Sequence, residues 1–237
     1  MKKGVRIAIA VVVGIAAGSW FFRDNAPTPE QLDAAFSNMP SWQVIKEQEP
    51  AFRSKIQDQV LAMNKAGKTE QEIIDTIQPQ ILNLQMARLQ TAPDANVVEY
   101  MKLNIEQIAA MQKLSDDNCF RFVYPEVKGG VNPMRLLDKD LMHRRMQADA
   151  TMMRAAVGPN KHTVTPQEVT RAETDVVPII QKLTVKYGDD IELLQSPAKG
   201  KGKEKLSCDL VQDLWNDVLA LPEPQAAGLI RYSVSDL

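Results

Sequence analysis

The sequence has few of the residue types that usually mark catalytic and metal sites. Its 237 residues include two cysteines and two histidines, and aromatic residues make up 5% of the chain. His143 and His162 are too few for a histidine-rich zinc site, and neither accompanies a serine or cysteine nucleophile motif. The chain also lacks a nucleophile elbow, a phosphate-binding glycine loop and a dinucleotide fingerprint. The sequence therefore predicts no cofactor, no metal site and no identifiable catalytic residue.

The charge distribution argues against nucleic acid as a partner. Four basic residues, Lys2, Lys3, Arg6 and Arg23, precede the first acidic residue, Asp24. The remaining chain has 24 basic and 30 acidic residues, a formal charge of −6. Because phosphate backbones bind clustered lysine and arginine, a negative body of this kind would be repelled.

Residues 7–22 contain no charged side chain and predict a membrane-spanning helix. As a helix they would extend about 24 Å, slightly less than the ~30 Å hydrocarbon core of a bilayer. Arg6 can extend its charge toward the headgroups at one end, and the aromatic run from Trp20 to Phe22 can anchor the other end. This segment therefore predicts a single membrane span.

A cleaved signal peptide is the alternative for the same segment. Small residues at 16–19 offer cleavage sites, but cleavage would leave the aromatic run at Trp20 as the mature N-terminus. We therefore predict an uncleaved signal anchor with residues 1–6 in the cytoplasm and a linker at 23–27. Residues 28–237 then form a periplasmic domain attached to a bacterial inner membrane.

Small residues recur every four positions in the predicted span, at Ala10, Gly14 and Gly18. Such a stripe lets two membrane helices approach closely, so it predicts a homodimer contact. The alternative is that glycine is simply common in membrane helices.

The two cysteines, Cys119 and Cys208, fit an exported protein because an oxidising compartment allows them to pair. A redox pair or a thiolate nucleophile is the alternative, but there is no Cys-x-x-Cys motif and no nearby histidine. We therefore predict a structural disulfide.

The exported body is predicted to be all-α, with about seven or eight helices. Thr28, Thr69 and Thr165 each begin a helix-capping pattern, and apolar residues recur at helical spacing between these starts. No alternating run is long enough to suggest a sheet. Because proline removes a backbone donor, we expect breaks or kinks at Pro50, Pro79 and Pro178.

Two segments are predicted to interrupt the helices. The first, residues 116–133, carries Phe120, Phe122 and Tyr124, which are either anchors for a partner or an apolar segment buried beside Cys119. The second, residues 197–205, alternates lysine with glycine. It is either a solvated linker or a contact for anionic lipid or an acidic partner.

A methionine-rich helix is predicted at residues 134–157. Met142 and Met146 lie one turn apart and share a face, with His143 close to Met146. Thioethers and an imidazole would suit Cu(I), whereas methionine also fills helical cores and peptide-binding grooves. Arg144 and Arg145 on the same helix either contact a carboxylate partner or belong to a solvated, ion-paired face.

These features favour a protein-binding function over an enzymatic one. The predicted role is an accessory or chaperone of an envelope or secretion assembly, or an immunity protein against a periplasmic toxin. The residues considered for the partner contact are Phe120, Phe122, Tyr124, Met142, Met146, Arg144 and Arg145. The alternatives are a hydrolase of cell wall or lipid that uses unmarked carboxylates, and a Cu(I)-handling protein.

Overall fold

The computed structural model describes residues 28–37 and 39–235. In these ranges the chain forms α-helices, two short 3₁₀-helices and no β-strand, which confirms the all-α prediction. The α-helices are α1 (Pro29–Phe36), α2 (Pro40–Gln48), α3 (Pro50–Lys65), α4 (Glu70–Thr91), α5 (Asp94–Leu114), α6 (Asp116–Val123), α7 (Pro125–Lys128), α8 (Pro133–Leu136), α9 (Lys139–Ala155), α10 (Pro166–Tyr187), α11 (Glu204–Leu219) and α12 (Glu223–Ser233). The 3₁₀-helices are Gly188–Leu194 and Pro197–Gly200.

Twelve α-helices in the described ranges exceed the seven or eight predicted, because short helices occupy segments predicted to be loops. Helices α6 and α7 lie within residues 116–133, and the single helix predicted at 134–157 is divided into α8 and α9. Leu137 is extended and ends α8, and Asp138 caps α9. Its carboxylate accepts hydrogen bonds from the backbone N–H groups of Asp140 at 2.8 Å and Leu141 at 3.3 Å.

The three predicted helix starts are confirmed. Thr28 and Thr69 each form a reciprocal capping box, at the beginning of α1 and of α4. Thr165 accepts a hydrogen bond from the backbone N–H of Glu168 at 3.2 Å, but the Glu168 carboxylate turns away to His162. Only the first half of the capping box is therefore present at α10.

The three helical prolines have different outcomes. Pro50 occupies the first position of α3, where proline fits without loss of a hydrogen bond. The helical conformation is interrupted at Glu49, between α2 and α3. Pro79 and Pro178 lie inside α4 and α10, which continue past them. Both rings are on exposed faces, where water can hydrate the carbonyl that loses its intrahelical donor.

None of the helices in the described ranges is both long enough and apolar enough to span a bilayer. The predicted membrane span at 7–22, with its stripe of Ala10, Gly14 and Gly18, lies outside those ranges. So do residues 1–6 and the linker at 23–27, and all of these remain predictions.

Helix α5 lies at the centre of the fold. It packs against α6, α9, α11 and α12. Its buried residues include consecutive pairs such as Val97 and Val98, or Tyr100 and Met101, which point in different directions around the helix. A helix that is buried on several sides must be apolar on more than one face, which is why α5 lacks a simple amphipathic pattern.

The N-terminal helices reach this core through α9, which packs against α2 and α4 as well as α5. Helix α1 is held to α2 and α3 by the carboxylate of Asp33. Trp42 Nε1 donates to Oδ1 at 3.1 Å, Lys46 Nζ donates to Oδ2 at 2.9 Å, and Arg53 Nε donates to Oδ1 at 3.1 Å. Partial burial acts to raise the pKa of Asp33, but these hydrogen bonds outweigh it and lower the pKa to about 2.

Cys119 and Cys208 form a disulfide that joins α6 to α11, with a Cα–Cα distance of 6.3 Å. Both residues are completely buried. Gly200 lies beside this junction, and a Cβ atom at this position would come within 2.7 Å of the Phe120 ring and 2.6 Å of Ser207 Oγ. Only glycine can occupy this position without displacing its neighbours.

Acid should loosen α1 through Asp33. The folded pKa of about 2 lies below the ordinary value, so this carboxylate contributes stability above pH ~4 that is lost as the pH falls toward 2. We expect this contribution to be about 2 kcal/mol. Hydrogen exchange of α1 amides in the full-length chain between pH 5 and 2.5 would measure it.

The matched variant for this measurement is Asp33→Asn, which removes the charge at every pH. It should make α1 exchange fast already at pH 5 and abolish the additional loosening at lower pH. Equal pH dependence in the variant and the native protein would contradict the assignment to Asp33.

Removing the disulfide should destabilise the fold without changing it. The bridge closes a sequence separation of 89 residues, and the chain-entropy model gives such a closure about 4 to 5 kcal/mol. We expect the Cys119→Ala/Cys208→Ala variant to unfold at lower urea concentration, with a free energy of unfolding reduced by about 2 to 5 kcal/mol. Reductant should destabilise the native protein and leave the variant unaffected, whereas equal stability of the two proteins would contradict the prediction.

Candidate protein-binding surface

The three aromatic residues considered as partner anchors are buried. Phe120, Phe122 and Tyr124 are 0%, 3% and 1% exposed, and the rings of Phe120 and Tyr124 pack 5.3 Å apart. All three belong to the hydrophobic core, on α6 or directly after it, close in sequence to Cys119. This location agrees with the buried-segment interpretation and leaves the rings no surface through which to contact a partner.

The residues considered on α9 point in different directions. Met142 and Arg145 are buried in the core, and Met146 is partly buried against it. Arg144 is exposed and pairs with Glu106 at 2.5 Å and Asp140 at 3.2 Å. Arg144 and Arg145 therefore do not form one partner-facing row, because Arg145 is buried and the exposed Arg144 already has acidic partners.

The ligand set considered for Cu(I) is not assembled around one point. Met142 faces the core, where its sulfur accepts a hydrogen bond from Gln107 Nε2 at 3.2 Å. His143, the next residue along the helix, is exposed to solvent. Consecutive helical residues project about 100° apart, so these two side chains cannot bind one ion. Within the described part of the chain there is also no cluster of three or more His, Cys, Asp or Glu residues suited to a metal.

A buried polar cluster surrounds Arg145, which is 0% exposed. Its Nε donates to Asp149 Oδ1 at 2.7 Å, and its Nη1 donates to Asn104 Oδ1 at 3.3 Å and Gln107 Oε1 at 3.4 Å. The guanidinium also lies 4.1 Å from the centre of the Tyr100 ring. This cluster joins α9 to α5 inside the core, and its fixed geometry sets how the two helices align.

Burial raises the pKa of Asp149, and the positive charge of Arg145 opposes this effect. A carboxyl group with a raised pKa is the kind of residue that the hydrolase alternative requires. Asp149 is only 3% exposed and is engaged by Arg145, so a substrate cannot reach it in this structure. In this structure the cluster packs α9 against α5.

The lysine-rich segment at 197–205 forms ion pairs with acidic residues of the same chain. Lys199 pairs with Glu192 at 2.6 Å, and Lys203 pairs with Asp190 at 2.5 Å. Part of the segment is a 3₁₀-helix rather than a flexible linker. These neutralising partners weaken the interpretation of the segment as a contact for anionic lipid.

A polar surface groove lies between this segment and α6. Lys128 Nζ contacts Glu204 at 2.9 Å and Asp117 at 2.5 Å across the groove. The hydrogen bond from Lys128 is the main reason that the pKa of Glu204 falls to about 2. Glu204 is therefore ionised at neutral pH and cannot donate a proton to a substrate.

His162 and Arg231 form a second polar cluster, where the N-termini of α5 and α10 meet α12. His162 Nε2 lies 2.6 Å from Glu168, and Nδ1 lies 3.9 Å from Asp94. Arg231, only 1% exposed, donates to the same two carboxylates at 3.0 and 2.7 Å and to the Ala92 carbonyl at 2.6 Å. The hydrogen bonds and ion pairs among these side chains tie the three helices together.

Helix α10 presents an exposed face without charge, which we call the α10 outer face. Its residues, all exposed, are Thr170, Thr174, Val177, Pro178, Gln181, Thr184 and Val185. Val177 and Val185 are 47% and 89% exposed, whereas Val176 and Ile179 on the opposite side are buried. A surface helix normally directs charged residues to solvent, so this face departs from the usual pattern.

The threonines of the α10 outer face present methyl groups rather than hydroxyls. Thr170, Thr174 and Thr184 donate their hydroxyls to backbone carbonyls one turn earlier, at 3.1, 3.0 and 2.7 Å. A hydroxyl bound to its own helix leaves the methyl group as the outward part of the side chain. The face is consequently more apolar than its sequence indicates.

Local helix stability does not explain this choice of residues. Each exposed threonine or valine costs a helix roughly 0.5 kcal/mol relative to alanine, because β-branching restricts the side chain. An exposed β-branched residue gains nothing from core packing in return. Residues that oppose local preference without an internal gain are expected where a surface makes contact with another molecule.

The sequence carried a pattern for this surface that residue-by-residue reasoning missed. Thr170, Thr174, Val177, Gln181 and Thr184 are separated alternately by four and three residues. Threonine and glutamine count as polar, so the stripe resembles an ordinary solvated face. The hydroxyl hydrogen bonds that make it apolar become evident only in the structure.

Comparison of the chain with protein families, with curated proteins and with solved structures finds no match.

The Arg145 and Asp149 pair should show strong coupling in a double-mutant cycle. Removing one partner leaves the other charge buried and unpaired, so Arg145→Met or Asp149→Leu alone should cost about 3 to 5 kcal/mol. The Arg145→Met/Asp149→Leu variant should recover most of that loss, because apolar side chains of similar volume suit the core. Urea unfolding of the four proteins measures the coupling, and simple additivity would contradict a buried ion pair.

Proposed function

We propose that the protein is an exported, membrane-anchored module that binds another protein through the α10 outer face. The observation that carries this proposal is a side of α10 that is exposed and uncharged, with three threonine hydroxyls bound to carbonyls of the helix itself. Apolar groups that are exposed in this way gain free energy when a partner covers them.

The N-terminal sequence supports the location we propose. Basic residues before an uncharged stretch at 7–22 are typical of a signal anchor, with the body on the far side of a bacterial inner membrane. A buried disulfide suits the oxidising periplasm. Anchoring would hold the α10 outer face close to the membrane and raise its local concentration for membrane-bound partners.

Within this framework the protein acts as an accessory or chaperone of an envelope or secretion assembly, or as an immunity protein against a periplasmic toxin. Both roles need a stable scaffold that presents one binding face. The hydrolase alternative needs an accessible carboxyl group that can donate a proton. Of the two carboxyl groups described above, Asp149 is buried with Arg145, and Glu204 is ionised and so cannot act as the acid.

Placing charge on the α10 outer face should release the partner. We expect Val177→Glu/Thr184→Glu to reduce recovery of a stoichiometric partner in a crosslinked pull-down of the full-length protein from membranes by about tenfold or more, because a buried unpaired carboxylate is costly. Quantitative mass spectrometry of the crosslinked material measures the loss.

The matched control carries the same two changes on other exposed surfaces, as Thr151→Glu/Val157→Glu. Val157 is 50% exposed, close to the 47% of Val177, so the two variants differ mainly in location. Both should unfold at the same temperature as the native protein. Retention of the partner by the α10 variant, or equal loss from both variants, would refute the proposed surface.

A further inference from the structure

We draw no further inference here: the strongest candidate, the chemistry of a partner for the α10 outer face, rests on a stripe of short uncharged side chains, and nothing in the structure shows what covers it.

Discussion

The fold depends on the burial of α5 on several sides. Because α6, α9, α11 and α12 all pack against this one helix, its polar side chains must find partners inside the core. Asn104 and Gln107 meet Arg145 from α9, which in turn holds Asp149. One buried cluster thus fixes the helix that connects the N-terminal helices to the rest of the protein.

Two further connections hold the outer helices on this centre. The disulfide joins α6 to α11, and the Arg231 cluster joins α12 to the beginnings of α5 and α10. Helix α10 packs with its buried side against α11 and α12, and its opposite side faces solvent. A rigid base beneath an unpartnered face is what a binding helix requires, since ordering a mobile surface would weaken binding.

The sequence was a good guide to local structure and a poor guide to the site. Thr28, Thr69 and Thr165 begin helices as predicted, because a capping residue acts on its own next few residues. Arg145 and Met142 were considered for partner contact, yet both are buried. Their burial depends on which side of α9 packs against α5. The sequence around α9 does not determine that side, because α5 is distant in the chain. Helix number was underestimated for a related reason, because short helices such as α7 are held by their surroundings rather than by a long periodic pattern.

The sequence by itself determined the all-α class, the principal helix starts and the pairing of the only two cysteines. These follow from short-range hydrogen bonding, from apolar periodicity and from the number of thiols. Tertiary structure alone decided which residues remain at the surface. It buried the aromatic segment around Phe120 and left α10 exposed along Val177, because burial depends on the packing of helices that are distant in the chain. It also showed the threonine hydroxyls bound to their own helix, so a stripe that counts as polar in the sequence presents methyl groups to solvent.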